Sequence, residues 1–241
     1  MLTEHQSGGR LVWVDLLNPT PAEIARACGD YQLDIPPREQ LEEIELSSRL
    51  QYEDGAFTIS VTVTLHGKNG NGGDVTSPLG FVFTKDLLVT IRFAQLQTFE
   101  AITKRVERHP RSAPDIFLVI IEALVDFGAD RLEELRAEAL KISQRIFHKE
   151  MQQMQKRNVS QVNRMLRDIL VEIGDMSERV SHIRDTLLVL QRAAPFIMEH
   201  GDSWLEPEIK ARLKVTMGDV QSLNDYQIHL TDKLQFLLDA D

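Results

Sequence analysis

The sequence predicts an α+β fold, in which an N-terminal α/β sandwich is followed by three very long helices. Two observations predict it. Short apolar runs and alternating patterns that are typical of strands fill residues 1–112, together with capped helices. From residue 113 onward, apolar residues recur with a helical period almost without interruption. We therefore divide the 241 residues into an α/β head (1–112), an antiparallel coiled-coil hairpin (113–202) and a third long helix (203–241).

The head is predicted to open with one strand and two helices. Residues 11–16 form a short apolar run that predicts the strand. A capping box of Thr20 and Glu23, in which each side chain accepts a backbone N–H of the other residue, begins the first helix. That helix is predicted to end at residues 28–30, which include a glycine. A Pro-Pro-Arg-Glu run begins a second helix, predicted over residues 36–44.

The rest of the head is predicted to consist of two hairpins. Residues 49–52 and 57–63 flank a Glu-Asp-Gly turn, and the second run alternates strictly between apolar and polar residues. Residues 79–83 and 87–92 form the second pair. The glycine-rich stretch 67–74 lacks the Gly-Lys-Ser/Thr ending of a phosphate-binding loop, so a hairpin tip is the better interpretation.

Residues 113–150, 160–199 and 203–240 are each predicted to be one long helix. At 1.5 Å per residue each would be roughly 55–60 Å long. The middle segment carries an unbroken 4-3 apolar repeat, which is the pattern of coiled-coil packing. The members of this repeat are Val162, Leu166, Ile169, Ile173, Met176, Val180, Ile183, Leu187, Leu190 and Ala194. A break between Pro195 and Ser203 is predicted to end the second helix and to cap the third.

The third helix has its own apolar stripe. The stripe consists of Ile209, Leu213, Met217, Val220, Leu223, Leu230, Leu234 and Leu237. The closing residues 233–241 contain no glycine, proline or other helix stop, and they become more apolar toward the end. We therefore expect the native chain to continue past Asp241.

Composition excludes several classes of protein. Asp and Glu (37) outnumber Lys and Arg (27), which gives a net charge of −10 and argues against a nucleic-acid partner. The lone Cys28 excludes an internal disulfide and fits a reducing compartment. No apolar run approaches the ~20 residues that cross a bilayer, and no signal peptide opens the chain, so these 241 residues are expected to be soluble. No hydrolase, dinucleotide or His-Glu-x-x-His motif occurs, so we predict that the chain is not an enzyme.

Six stretches, taken in order, resemble the cytoplasmic portion of the CorA-type family of divalent-cation transporters, which includes magnesium, cobalt and zinc transporters. They are residues 13–16, 36–44, 48–53, 88–92, 122–126 and 236–240. The resemblance implies that the third helix is a stalk that continues into a membrane span at the cytoplasmic side of the inner membrane. It also implies a homo-pentamer in the full-length protein. Because such pentamers rely on the membrane region, a monomeric state stays open for this chain.

The family's signature Gly-Met-Asn loop lies between two membrane helices, and none of these occurs within the 241 residues. The resemblance therefore implies a regulatory role, in which the chain senses a cytosolic divalent cation (Mg²⁺, Co²⁺ or Zn²⁺) and couples its binding to the pore. The competing hypothesis is a soluble coiled-coil adaptor or signalling protein with an α/β head.

One predicted cation site comes from the resemblance. In magnesium-gated members, a carboxylate on the helix before the first hairpin faces a stalk aspartate of the neighbouring protomer. Glu43 matches the first of these positions. Val215 stands at the matching stalk position, which puts magnesium sensing there in question, and Asp219, one turn away, is the nearest replacement. The alternative is that Glu43 is a solvated carboxylate.

A second predicted cation site lies within the third helix. Asp225, His229 and Asp232 are spaced i, i+4 and i+7 and therefore share one helix face. Two carboxylates and an imidazole suit Zn²⁺ or Co²⁺ better than Mg²⁺. The alternative is a polar stripe that faces solvent or a neighbouring stalk. A further acidic row begins with Glu122, Asp126 and Asp130, and we expect a salt-bridged helix surface there.

Overall fold

The computed structural model describes residues 1–65, 75–108, 111–149 and 159–239. Its strands are β1 (Leu2–Ser7), β2 (Arg10–Leu17), β3 (Leu50–Glu53), β4 (Ala56–Leu65), β5 (Val75–Phe83) and β6 (Leu88–Arg92). Its helices are α1 (Pro21–Tyr31), α2 (Arg38–Leu41), α3 (Leu46–Arg49), α4 (Gln97–Arg108), α5 (Ala113–Gln144), α6 (Val159–His200) and α7 (Pro207–Asp239), and a π-helical turn (Arg145–Lys149) follows α5. Thus an α/β head precedes three long helices, as predicted.

The strands form one six-stranded sheet in the order β1-β2-β6-β5-β4-β3. All neighbouring strands are antiparallel except β2 and β6, which run parallel. A parallel pair needs a long crossover, and here the crossover contains α1 to α3 and three strands. The crossover places α1 and α2 over one face of the sheet.

Both faces of the sheet are buried, because side chains alternate along each strand. Trp13 and Phe83 point to the face that packs on the long helices, and their neighbours Val14 and Val82 point to the opposite face. The second face packs on α1, α2 and the segment between them through Ala27, Leu41 and Ile35. The sheet is therefore the middle layer of a sandwich.

Aromatic side chains join the sheet to the long helices. The Phe83 ring stacks on Phe117 of α5 at 4.5 Å and on Phe57 of β4 at 5.0 Å. The Phe57 ring also contacts Phe196 of α6 and Trp204 just before α7, both at 5.9 Å. Both the start of α5 and the end of α6 thus rest on the sheet, beside the segment that leads into α7.

The three long helices share one apolar core, as their repeats predict. Members of the coiled-coil repeat from Ile169 to Leu190 are buried, and so is most of the α7 stripe from Ile209 to Leu237. This core is continuous with the core between the sheet and the helices. Among the described residues, no helix is long and apolar enough to cross a membrane.

Several local predictions about the head were wrong. Strand β1 and helix α4 were not predicted, and α1 ends at Tyr31 rather than at its glycine, with Gln32 in the left-handed region (φ 54°). The second helix ends at Leu41 instead of residue 44, because residues 43–45 form an irregular linker before α3. The first hairpin begins at Leu50, since the residues before it belong to α3. The predicted glycine-rich tip, residues 67–74, lies outside the described residues.

The predicted break before the third helix was also placed too early. Pro195 lies inside α6, which ends at His200, and α7 begins at Pro207 rather than near residue 203. Proline lacks the N–H that would bond to the carbonyl of Gln191, and Gln191 lies on the exposed side of the helix where water reaches it. The cost of an interior proline is therefore small enough for the surrounding core to hold the helix. The division into three domains stays a prediction.

Candidate functional site

Glu43 lies in the linker between α2 and α3, not on a helix as predicted. The backbone on both sides of the linker is held in place by side chains of the head. The Ser60 hydroxyl donates to the carbonyl oxygen of Leu41 at 2.6 Å, and Arg49 Nε donates to the carbonyl oxygen of Glu43 at 2.7 Å. The linker is therefore fixed although it has no regular structure.

A glycine on β5, Gly80, leaves room for the side chain of Leu41, which lies at the end of α2. A Cβ atom at Gly80 would lie 2.7 Å from Cδ2 of Leu41 and 3.2 Å from Cδ1 of Ile91, both of them buried side chains. A larger residue there would require the Leu41 and Ile91 side chains to shift. The space beside Gly80 is thus filled by the side chain of Leu41, two residues before Glu43.

The two adjacent carboxylates differ in their partners. Glu42 accepts a hydrogen bond from Arg38 Nε at 2.7 Å, and the Arg38 guanidinium in turn lies over the Phe93 ring. Glu43 is exposed and forms no ion pair with another described residue. Its neighbour Ile44 is 87% exposed, an unusual state for an isoleucine. The tip of the linker thus presents one unpaired carboxylate and one apolar side chain to the outside.

The predicted stalk residues all lie on the surface of α7. Asp219, Asp225, His229 and Asp232 are exposed and form no ion pair with a described side chain. Val215 is 66% exposed. The buried stripe of α7 faces α5 and α6, so these polar residues occupy the side that no described part of the chain covers.

One copy of the chain does not enclose a cation with these residues. Within the described ranges, no group of three or more His, Cys, Asp or Glu side chains is placed to hold a metal ion. Glu43 sits on the head, whereas the other candidates are spread along α7. The named cation ligands stay predictions, and any closed site that they form requires oxygen atoms from outside this copy.

The expected salt-bridged surface on α5 is present in part, since Glu122 forms an ion pair but Asp126 and Asp130 form none with a described residue. Glu134 pairs with Arg131, Glu138 pairs with Arg179 of α6 at 2.7 Å, and Glu122 pairs with Arg212 of α7 at 2.7 Å. Most of the compensating charge therefore comes from the neighbouring helices.

Arg212 links α7 to two carboxylates of α5, a site that the sequence did not reveal. Its Nε and Nη2 donate to the two oxygens of Glu122 at 3.0 and 2.7 Å, and its Nη1 donates to Asp115 Oδ1 at 2.5 Å. Arg111 donates to the other Asp115 oxygen at 2.6 Å. The hydrogen bond to Glu122, followed by the one to Asp115, raises the pKa of Arg212, so its charge is secure.

This ion-pair chain borders a cavity of about 1050 Å³ between the head and the starts of α5 and α7. Its charged lining is mixed in sign and includes Arg10, Lys85, Asp86, Glu206 and Glu208 besides the ion-pair chain. The arrangement favours neither an anion nor a cation. The ion pairs of Arg212 connect α7 to α5 at this cavity.

We expect Arg212→Met to lower the free energy of unfolding by about 1–2 kcal/mol. The variant leaves Asp115 and Glu122 without this partner, but these groups are partly exposed, so the loss falls between that of surface and buried ion pairs. Urea unfolding followed by circular dichroism measures the change. Arg136→Met is the matched control, since Arg136 is exposed on α5 without a described ion pair. Equal losses in the two variants would contradict the assigned role of Arg212.

The chain is similar in sequence to one known protein family and to several of its members. Residues 8–241 match the model of the family described as "CorA-like Mg2+ transporter protein". The magnesium transport protein CorA of Campylobacter jejuni strain RM1221 is 28% identical over 240 residues, which cover 95% of this chain and 69% of that protein. CorA of Salmonella typhimurium is 25% identical, with 98% of this chain and 71% of that protein covered.

Two solved structures share the fold at low sequence identity. The complete CorA magnesium transporter from Methanocaldococcus jannaschii superposes with a TM-score of 0.72 at 14% identity, covering 94% of this chain and 68% of that one. The cytoplasmic domain of ZntB from Vibrio parahaemolyticus superposes with a TM-score of 0.62 at 15% identity, covering 94% of this chain and 84% of that one. The α/β head with three long helices is thus the fold of these cytoplasmic regions.

Proposed function

This chain belongs to the CorA-like Mg²⁺ transporter family, and from that premise we propose that it is the cytosolic regulatory part of a divalent-cation transporter. In this proposal, α7 leads toward the membrane and several copies, five as the family resemblance suggests, surround a common axis. Binding of a cytosolic cation between copies holds the stalks together, and loss of the cation releases them. Mg²⁺ is the first candidate, because the curated relatives are named magnesium transport proteins.

The unpaired polar side of α7 is the observation that carries the proposal. Asp225, His229 and Asp232 are exposed on one helix face, and the described part of the chain offers them no ion-pair partner. Like charges on a helix face repel one another, and the repulsion grows when the same face of a second copy comes near. A cation between the copies would turn this repulsion into an attraction.

Glu43 is the residue of the head that takes part in cation binding in this proposal. Its backbone is held at 2.7 Å by Arg49, while its carboxylate stays unpaired and exposed. A carboxylate on a rigid backbone is well positioned to bind a cation together with oxygen atoms from a neighbouring copy. Because Val215 carries no carboxylate, Asp219 would be the nearest acidic contribution from a neighbouring stalk.

The chemistry of the ligands determines which cation binds. Mg²⁺ takes oxygen ligands and keeps several waters, which suits Glu43, Asp219, Asp225 and Asp232 acting partly through water. Participation of His229 would favour Zn²⁺ or Co²⁺ instead. The effect of replacing His229 on cation binding therefore distinguishes a Mg²⁺ site from a Zn²⁺ or Co²⁺ site.

Titration calorimetry combined with sedimentation tests this function. We expect Mg²⁺ to bind the wild-type chain and to raise its sedimentation coefficient, and we expect Asp225→Ala and Glu43→Ala each to weaken binding roughly tenfold or more. His229→Ala should weaken the binding of Zn²⁺ but not of Mg²⁺. Asp34→Ala is the matched control, since Asp34 is an exposed carboxylate of the head without a described ion pair.

Two outcomes would count against the proposal. Unchanged Mg²⁺ and Zn²⁺ binding in both Asp225→Ala and Glu43→Ala would remove the named ligands. Binding that weakens equally in Asp34→Ala would indicate only a general attraction of cations to an acidic protein.

A further inference from the structure

One sequence segment, which covers the end of α5 and the start of α6, differs in charge from the rest of the chain. Between residues 141 and 167 the chain has seven basic side chains and one acidic side chain, in a protein whose net charge is −10. The basic side chains are Lys141, Arg145, Lys149, Lys156, Arg157, Arg164 and Arg167, and the acidic one is Glu150. Positive charge is thus concentrated in this segment of an otherwise acidic chain, and Lys141, Arg145, Arg164 and Arg167 are its basic residues with described side chains.

The end of α5, the end of α7 and the first third of α6 lie side by side at this place. Arg145, in the turn after α5, pairs with Glu172 of α6 at 2.6 Å. The ring of Phe147 stacks on that of Phe236 near the end of α7, with 6.0 Å between centroids. At 1.5 Å per residue this level lies roughly 50 Å along α5 from the sheet.

Large apolar side chains are exposed beside these charges. Phe147 is 41% exposed, Leu170 is 42% exposed and Val171 is 62% exposed. Arg164, Arg167 and Val171 are spaced i, i+3 and i+7, so they share the face of α6 that is opposite to the buried Ile169 and Ile173, with Asp168 at its edge. We call Lys141, Phe147, Arg164, Arg167, Leu170 and Val171 the distal surface.

We propose that the distal surface binds the anionic headgroups of a lipid membrane. Basic side chains next to exposed apolar ones are the composition of protein surfaces that lie against anionic bilayers. Lys141, Arg164 and Arg167 are exposed and have no ion-pair partner among the described residues, so their charges are available. The position beside the end of α7 agrees with this partner, and in that respect the inference rests on the proposed function.

A second copy of the chain is the competing partner, since much of its surface is acidic. The acidic surface of a second copy would attract the basic side chains but would offer the exposed Phe147, Leu170 and Val171 no apolar contact. At a membrane, these side chains enter the boundary between headgroups and acyl chains, and the basic side chains remain at the phosphates. The combination therefore favours a lipid surface.

Vesicle co-sedimentation with the purified 241-residue chain tests the inference. We expect at least about tenfold tighter binding to vesicles of phosphatidylcholine and phosphatidylglycerol than to phosphatidylcholine alone, and we expect added salt to weaken it. Reversing the charge of Lys141, Arg164 and Arg167 to Glu should weaken binding at least about tenfold. Phe147→Ser with Val171→Ser should weaken it several-fold. A milder pair, Arg164→Gln with Arg167→Gln, repeats the test if the triple variant does not fold.

The matched control reverses the same number of charges elsewhere. Lys85, Lys104 and Lys214 are exposed on the head, on α4 and near the start of α7, and their change to Glu should leave vesicle binding within about twofold. Equal binding to both kinds of vesicle, or equal losses in the two triple variants, would overturn the proposal. So would a distal variant that alters self-association but not vesicle binding. Vesicle binding needs no divalent cation, so its failure is distinguishable from failure of cation sensing.

Discussion

Phe83→Ala should lower the free energy of unfolding by about 3–5 kcal/mol, the largest loss that we expect from one substitution in this protein. Phe83 is fully buried in β5. Its ring contacts Phe117 at 4.5 Å, Phe57 at 5.0 Å and Trp204 at 6.4 Å. These partners belong to α5, to β4 and to the segment before α7, so the cavity would open where the sheet meets the helices.

Urea unfolding followed by circular dichroism measures the loss. Phe236→Ala is the matched control, because the same group is removed from a side chain that is 60% exposed, and we expect a loss below about 1 kcal/mol there. Similar losses in both variants would show that the aromatic junction contributes no more than a surface contact. A loss in Phe83→Ala that leaves head and helices unfolding in two separate transitions would identify the junction as the link between them.

Asp15→Ala should lower the free energy of unfolding by about 3 kcal/mol, because it breaks a buried polar network between β2 and β6. Asp15 is 5% exposed and accepts hydrogen bonds from Arg92 Nη2 at 2.7 Å and from the Thr90 hydroxyl at 2.8 Å. Thr90 in turn accepts a hydrogen bond from Trp13 Nε1 at 2.9 Å. Removal of the carboxylate leaves the Arg92 guanidinium buried without its counter-charge.

A second substitution in the same network serves as the control. Arg92→Met in the Asp15→Ala background should recover part of the lost stability, since the unpaired buried charge is then also removed. Asp86→Ala, an exposed carboxylate in the turn before β6, should change the free energy of unfolding by less than about 0.5 kcal/mol. Additive losses for Asp15→Ala and Arg92→Met would contradict direct coupling between the two residues.

The parts of the fold that could be predicted depend on neighbouring residues. The 4-3 repeat of α6 requires only that apolar side chains recur on one helix face, and Ile173 and Leu187 are indeed buried there. The capping box of α1 likewise forms within four residues, where Glu23 N–H donates to the Thr20 hydroxyl at 3.3 Å. Local stereochemistry alone was sufficient in both cases.

The wrong predictions concern segments whose structure depends on distant partners. Strand β1 is mostly polar, and it is a strand because it pairs with β2. The linker around Glu43 lies between two short helices, and the residues that contact Leu41 at the end of α2, Ser60 and Gly80, come from distant strands. Pro195 is a helix breaker by local rules, yet the core that α6 shares with α5 and α7 keeps it helical.

In the candidate site, too, some features could be predicted from the sequence and others depend on distant partners. Asp225, His229 and Asp232 could be named from the sequence, because their spacing alone puts them on one helix face. That this face is exposed and unpaired, and that Arg212 holds α7 to α5, follows only from the packed helices. Arg212 and Asp115 are 97 residues apart, and Asp15 and Arg92 are 77 apart. Periodicity and capping are short-range and visible in the sequence, whereas buried charges choose their partners only after folding has brought distant segments together.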